Sequence, residues 1–169
     1  DIFGSRGLGD VYKRQTATGL GQNAGDILQT TSISVLTSHY NTTNSSSYQD
    51  TGLNQSITPS ATSSKIIVIV CLDVMGWGDR DRRPMCGVFY GSVSNSNLLC
   101  RQETGEYHTG DSGSYSYGGQ TYWYLHSPST TSQVTYRVGL KSADGSSVRV
   151  QGDSGNDRRS FMYLQEMKG

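Results

Sequence analysis

The string Gly-Asp-Ser-Gly occurs twice, at 110–113 and 152–155, and a serine so placed could serve as a nucleophile. Acyl transfer by serine also needs a histidine within hydrogen-bond reach, a carboxylate to orient that histidine, and donors for the oxyanion. Neither copy has that company. Ser112 runs into Gly-Ser-Tyr, Ser154 runs into Gly-Asn-Asp, and His39 sits in Thr-Ser-His-Tyr-Asn, unlike the surroundings of a protease histidine. In a chain this rich in glycine and serine the repeated string reads as loop, so no enzyme is expected. Metal chemistry fares little better. His108 with Asp111, or Asp79 with Asp81, supply ligating atoms, but the histidines at 39, 108 and 126 have no paired spacing and arginines flank the aspartates. A calcium site wants roughly six to eight oxygens and few competing cations. No cofactor and no metal are expected.

Recognition chemistry is better represented. Residues 76–84 read GWGDRDRRP, a tryptophan between glycines followed by five consecutive charges and a proline. Alternating charges neutralise one another, and exposed pairs contribute about 0–1 kcal/mol, so the stretch is not there for stability. It reads as a solvated rim loop or as a subunit or receptor contact through Trp77, Asp79, Arg80 and Arg82. A second stretch, GEYHTGDSGSYSYGGQ at 105–120, sets Tyr107, His108, Tyr115 and Tyr117 among glycines and serines. Tyrosine beside Ser and Gly is paratope chemistry, rigid amphipathic area next to adaptable hydrogen bonding. It reads first as a loop lid or subunit contact, and second as ligand contact.

The elements that must position these residues are strands. Only 33% of the 169 residues are hydrophobic and 17% are charged, with a formal net charge of zero. Disorder pairs low hydrophobicity with high net charge, which is absent here. In place of apolar residues stand 25 serines, 16 threonines, 21 glycines and 11 tyrosines, a composition for β-strands joined by many turns. Zero net charge removes the long-range attraction to nucleic acid. The longest apolar run, IIVIVCL at 66–72, has strand length and falls far short of the ~20 residues that span a bilayer, so neither nucleic-acid binding nor membrane insertion is expected.

Period-two alternation runs from Asp26 onward. Ile33 and Val35 alternate with serines, Leu53 and Ile57 flank polar residues before Pro59, and residues 65–75, apolar on both faces, predict a central strand covered on both sides. Strands are also predicted over 85–93, 98–102, 121–128, 132–140, 147–151 and 160–168. In the fourth of these Val134, Tyr136, Val138 and Leu140 share one face. Asp144-Gly145 predicts a two-residue hairpin turn into Ser147–Gln151, and Cys86 could bridge to Cys100 if the two face each other across a hairpin. Eight or more short strands with regular turn signals predict an all-β antiparallel sandwich, with a jelly roll as the expected form.

The first fifteen residues, DIFGSRGLGDVYKRQ, show no alternation and resemble translated sequencing-adapter read-through. Residues 1–25 are read as an arm or linker and 26–169 as the folded head. Within that head, DTGLNQSITPSATSSKIIVIV (50–70) and YLHSPSTTSQVTYRVGLKSADGSSVRVQGDSGNDRRSFMYLQEM (124–167) resemble a family of tail-fibre and related virion proteins of environmental phages. That family shows a DTGL…ITP…SSK hairpin, an LDSP…T…TY segment and a last strand closing in MEI. Here LHSP replaces LDSP and the ending reads LQEMKG. The resemblance implies a trimeric jelly-roll head, similar in outline to complement and tumour-necrosis-factor heads. It also implies a place on the virion and attachment to a host-surface glycan or outer-membrane protein. No receptor-site residue carries over. The alternative from the residues is a carbohydrate-binding module of a secreted bacterial protein, stacking sugars on Trp77, Tyr107 or Trp123.

Overall fold

The computed structural model describes residues 23–36, 40–42, 45–77, 84–103, 115–143, 145–150 and 159–169. Its described elements are strands and one short 3-10 turn at Asn95–Asn97. The expected all-β sandwich is what the chain forms.

One long strand, β5 (Lys65–Trp77), is the spine of the first sheet. Along one edge it pairs with β8 (Tyr115–His126), in register from Ile66–His126 to Trp77–Tyr115. Along the other edge two collinear strands share it. β11 (Phe161–Met167) pairs with its first half and β10 (Ser147–Val150) with its second. Outside these lie β1 (Ile27–Thr30) and β2 (Ser34–Val35) against β11, and β3 (Tyr40–Thr42) against β10. The second sheet has the order β4 (Gln49–Ile57), β9 (Val134–Ser142), β6 (Pro84–Tyr90), β7 (Leu98–Glu103). With β1–β3 counted as one interrupted strand and β10–β11 as another, the first sheet holds the first, eighth, third and sixth strands. The second sheet holds the second, seventh, fourth and fifth. That wrapping order is a jelly roll.

At the seam, Val150 pairs with Val74 and Phe161 pairs with Cys71. Ser160 fills the gap between them: its Oγ accepts from the Asp73 amide at 3.0 Å and its carbonyl accepts from the Leu36 amide at 2.9 Å.

The core follows the alternation. Ile66, Val68, Val70, Leu72 and Val74 of β5 face Val134, Tyr136, Val138 and Leu140 of β9, and Val148, Val150, Met162 and Leu164 complete the layer. Leu53 and Ile57 are buried as their spacing predicts. Three expectations need correction, and the possible cysteine bridge is not made. The hairpin expected at Asp144-Gly145 is not formed, since β10 pairs with β3 and β5 rather than with β9, and Asp144 lies outside the described residues. Both edges of β9 are already taken by β4 and β6, and after Gly145, at φ 86°, the chain continues in the other sheet. Cys86 stands opposite Gln102 and Cys100 opposite Val88, a diagonal offset that leaves both as free thiols. Burial pushes the Cys86 thiol up to about 12, where it behaves as a small apolar side chain. Ile33 and Val35 are exposed while Leu36 turns inward. Finally, Tyr115 and Tyr117 stand in β8 rather than in a loop, because the second half of β5 offers its free edge to any strand-forming partner and tyrosine suits one.

Glu166 is fully buried on the inward face of β11. Its Oε1 accepts from the Ser60 amide (2.7 Å) and hydroxyl (2.6 Å), and its Oε2 accepts from Gln29 Nε2 (2.6 Å). The same Gln29 amide donates to the Thr58 carbonyl at 2.8 Å, so one carboxylate ties β1 and the β4–β5 turn to the last strand. Burial alone would raise this carboxyl; the bonds from Ser60 and Gln29 outweigh it and bring it from its ordinary 4.5 down to about 2. A group depressed in the folded state stabilises fully above the unfolded value and loses that contribution as pH falls toward the folded one. Stability is therefore expected to decline between pH 4.5 and about 2. Glu166→Gln should cost about 1–3 kcal/mol at neutral pH and flatten that acid limb, read by denaturant titration across pH. An unchanged acid limb would remove Glu166 as its source.

Candidate functional site

Of the residues singled out by sequence, Asp79, Arg80, Arg82, Tyr107 and His108 lie outside the described residues, as do both Gly-Asp-Ser-Gly strings. The other three come together. The β5–β8 register sets Trp77 directly opposite Tyr115 and Met75 opposite Tyr117 at one end of the first sheet. Among the described residues no three His, Cys, Asp or Glu side chains form a group that could hold a metal ion, and no helix is long and apolar enough to cross a membrane.

The described histidine, His126, stands in the LHSP segment. Its Nδ1 is 2.9 Å from the Tyr136 hydroxyl, and Tyr90 packs edge-on at 4.7 Å between centroids. Burial lowers its pKa and raises that of Tyr136. Both groups stay neutral together, which suits a bond between the two sheets at that end of the sandwich.

Two surfaces remain, one on each sheet. The outward face of the first sheet is apolar, and register shows how continuous it is. Thr121, Cys71, Phe161 and Val35 form one row; Trp123, Ile69 and Tyr163 the next; Leu125, Ile67 and Gln165 a third; Lys65, Met167 and Ile27 a fourth. Trp123 is 73% exposed, and Ile27, Val35 and Leu125 are also exposed. The sequence predicts β5 covered on both faces; the described chain covers one. Period-two reading finds these residues but assigns them to a core, because alternation cannot say whether a face is covered by the same chain.

The second sheet's outward face is built differently. Phe89 is fully buried there yet lies outside the main core. Its ring rests on Gly87 and Gly139: a Cβ at Gly139 would meet Phe89 Cε2 at 2.6 Å and Val93 Cγ1 at 2.8 Å. Tyr48 closes over it edge-on, centroids 5.0 Å apart, with Lys141 Nζ 4.8 Å from the Tyr48 centroid. Burial raises the Tyr48 hydroxyl above its ordinary value, and the Arg101 guanidinium pulls the other way.

Beside this small outer core lies a groove of about 580 Å³ between the start of β4 and the β6–β7 turn, floored by Thr135 and Arg137 of β9. Arg137 Nη1 donates to Asp50 Oδ2 at 2.9 Å, while Asp50 Oδ1 accepts from the Gly52 amide at 2.8 Å. Sequence reasoning misses this pair, since its members stand 87 residues apart. The only local signal is Gly52, at φ 80°, which marks the irregular register where β4 leaves β9 between Asp50 and Asn54.

Compared with models of protein families the chain matches none, and no curated protein matches its sequence.

Proposed function

We propose that this chain is the attachment head of a virion fibre. In this reading it assembles as a homotrimer through the outward face of its first sheet and meets a host-surface glycan or outer-membrane protein with the surfaces left free. The observation that carries the reading is that apolar face. A chain only 33% hydrophobic sets Trp123, Leu125, Ile67, Ile69, Phe161, Tyr163 and Met167 on the outside of one sheet. A contiguous exposed apolar surface marks an interaction site, and a repeated fibre component supplies identical neighbours to cover it. The resemblance of residues 50–70 and 124–167 to phage tail-fibre proteins supports the same reading.

Two measurements test it. Light scattering after size exclusion is expected to give three times the chain mass of 18.4 kDa, and the purified head is expected to compete with phage for adsorption to susceptible cells. A monomer that fails to adsorb sinks the proposal. The second reading, a carbohydrate-binding module, is favoured by one observation. Trp123, at 73% exposure, is a ready platform for stacking a sugar ring. It predicts a stable monomer whose sugar binding is abolished by Trp123→Ala.

A further inference from the structure

We infer that the groove on the second sheet, over Thr135 and Arg137, is a subsite for a neutral sugar unit bearing adjacent hydroxyls. The inference rests on the attachment reading for its biological setting and deepens it by naming a ligand class and a place.

Three observations carry it. First, the groove has the size of a small-ligand site, about 580 Å³ against the ~300–1,000 Å³ usual for such sites. Second, its walls are held in place before anything binds. The Gly91 amide donates to the Thr135 carbonyl at 2.8 Å, and Asn97 Nδ2 donates to the Ser92 carbonyl (3.1 Å) and hydroxyl (2.9 Å). Across the groove Asp50 is pinned by the Gly52 amide and by Arg137. A site that need not be ordered loses less on binding. Third, the chemistry is mixed and balanced. The Asp50–Arg137 pair is partly exposed, at 38% and 34%, so it sets carboxylate lone pairs beside guanidinium N–H donors. Hydroxyls on adjacent carbons can then donate to one and accept from the other.

The same features exclude other ligand classes. An anion would meet the Asp50 carboxylate, and Arg137 already spends charge on it. A nucleic acid would need a surplus of cations along its path. An extended peptide binds by adding to a free strand edge, but β9 is paired on both sides here. A neutral polyhydroxyl group satisfies the donors and acceptors without demanding net charge.

The test uses the ¹⁵N-labelled full chain titrated with methyl glycosides of neutral hexoses, and with a methyl glucuronide as the acidic comparison. Binding of a single unit is expected at a dissociation constant of about 1 mM, with amide shifts concentrated at Gly52, Gly91, Ser92 and Arg137. Ser92→Trp, at an exposed position on the groove wall, should fill the groove and weaken binding roughly tenfold or more. Arg137→Ala should do the same by removing the donors. If Arg137→Ala fails to fold, Ser92→Trp alone decides. Shifts that spare the groove, survive Ser92→Trp, or arise only with the glucuronide would overturn the subsite. So would an absence of shifts with every glycoside while the head still adsorbs to cells; that result leaves attachment standing. Groove shifts in a head that does not adsorb would uphold the subsite and end the attachment reading instead.

Discussion

Phe89→Ala is expected to lower the stability of the domain by about 3–5 kcal/mol, a large share of the ~5–15 kcal/mol typical of a folded domain. The size of the effect comes from where the ring lies. Phe89 has no exposed surface, yet it packs outside the main core, sealed by Tyr48 above and by Gly87 and Gly139 below. Its removal leaves a void that two glycines cannot fill. The complementary change, Gly139→Ala, should cost about 1–3 kcal/mol by overpacking, since its Cβ would come within 2.6 Å of the Phe89 ring. Together the two changes should be less harmful than their sum, because the new methyl enters the space the ring vacates. A coupling of about 0.5–3 kcal/mol of relief is the expected reading of that double-mutant cycle. Strict additivity in urea titrations would show that the ring and the glycines are not one packing unit.

The second large effect concerns assembly. Trp123→Arg is expected to convert the proposed trimer into a folded monomer. Each buried large apolar side chain contributes about 2 kcal/mol, and threefold symmetry repeats the loss at three interfaces. That gives roughly 6 kcal/mol per trimer, or about four decades in the assembly constant. Ile69→Arg, in the same row beside Trp123 and Tyr163, should act alike. Both positions face away from the core, so the monomer should keep its fold. A variant that remains trimeric at micromolar concentration would place the subunit contact elsewhere. One that unfolds would show that the face supports the chain itself.

How far these features could be read from the chain differs by level. The faces of β9 and β11 were legible in full, since Val134, Tyr136, Val138 and Leu140, and separately Met162, Leu164 and Glu166, alternate without interruption. Leu53 and Ile57 were legible for the same reason. Partnership was not. Alternation states which residues share a face and nothing about which strand lies alongside, so the dipeptide Asp144-Gly145 predicts a hairpin although β9 has no free edge. The outer packing of Phe89 left a faint mark, since isolated glycines inside strands signal close approach, and Gly87 and Gly139 are such glycines, paired across β6 and β9. The groove left almost none, because it joins a turn after β6, the start of β4 and the middle of β9. Of the aromatic and charged residues chosen from sequence, the register unites Trp77, Tyr115 and Tyr117 at one end of the first sheet and sets Trp123 on its outward face; Asp79, Arg80, Arg82, Tyr107 and His108 lie outside the described residues.

The seam between β10 and β11 has a further consequence. Both strands share β5 as their inner neighbour, each has its own outer partners, and the Ser160 hydroxyl and carbonyl close the ladder where they part. The pairing on either side is thus indifferent to how many residues connect Val150 to Phe161, and each doubling of such a connection costs only about 0.6 kcal/mol. The fold carries a built-in splice point, at which a lineage or an engineer can lengthen, shorten or replace a segment while every strand keeps its partner.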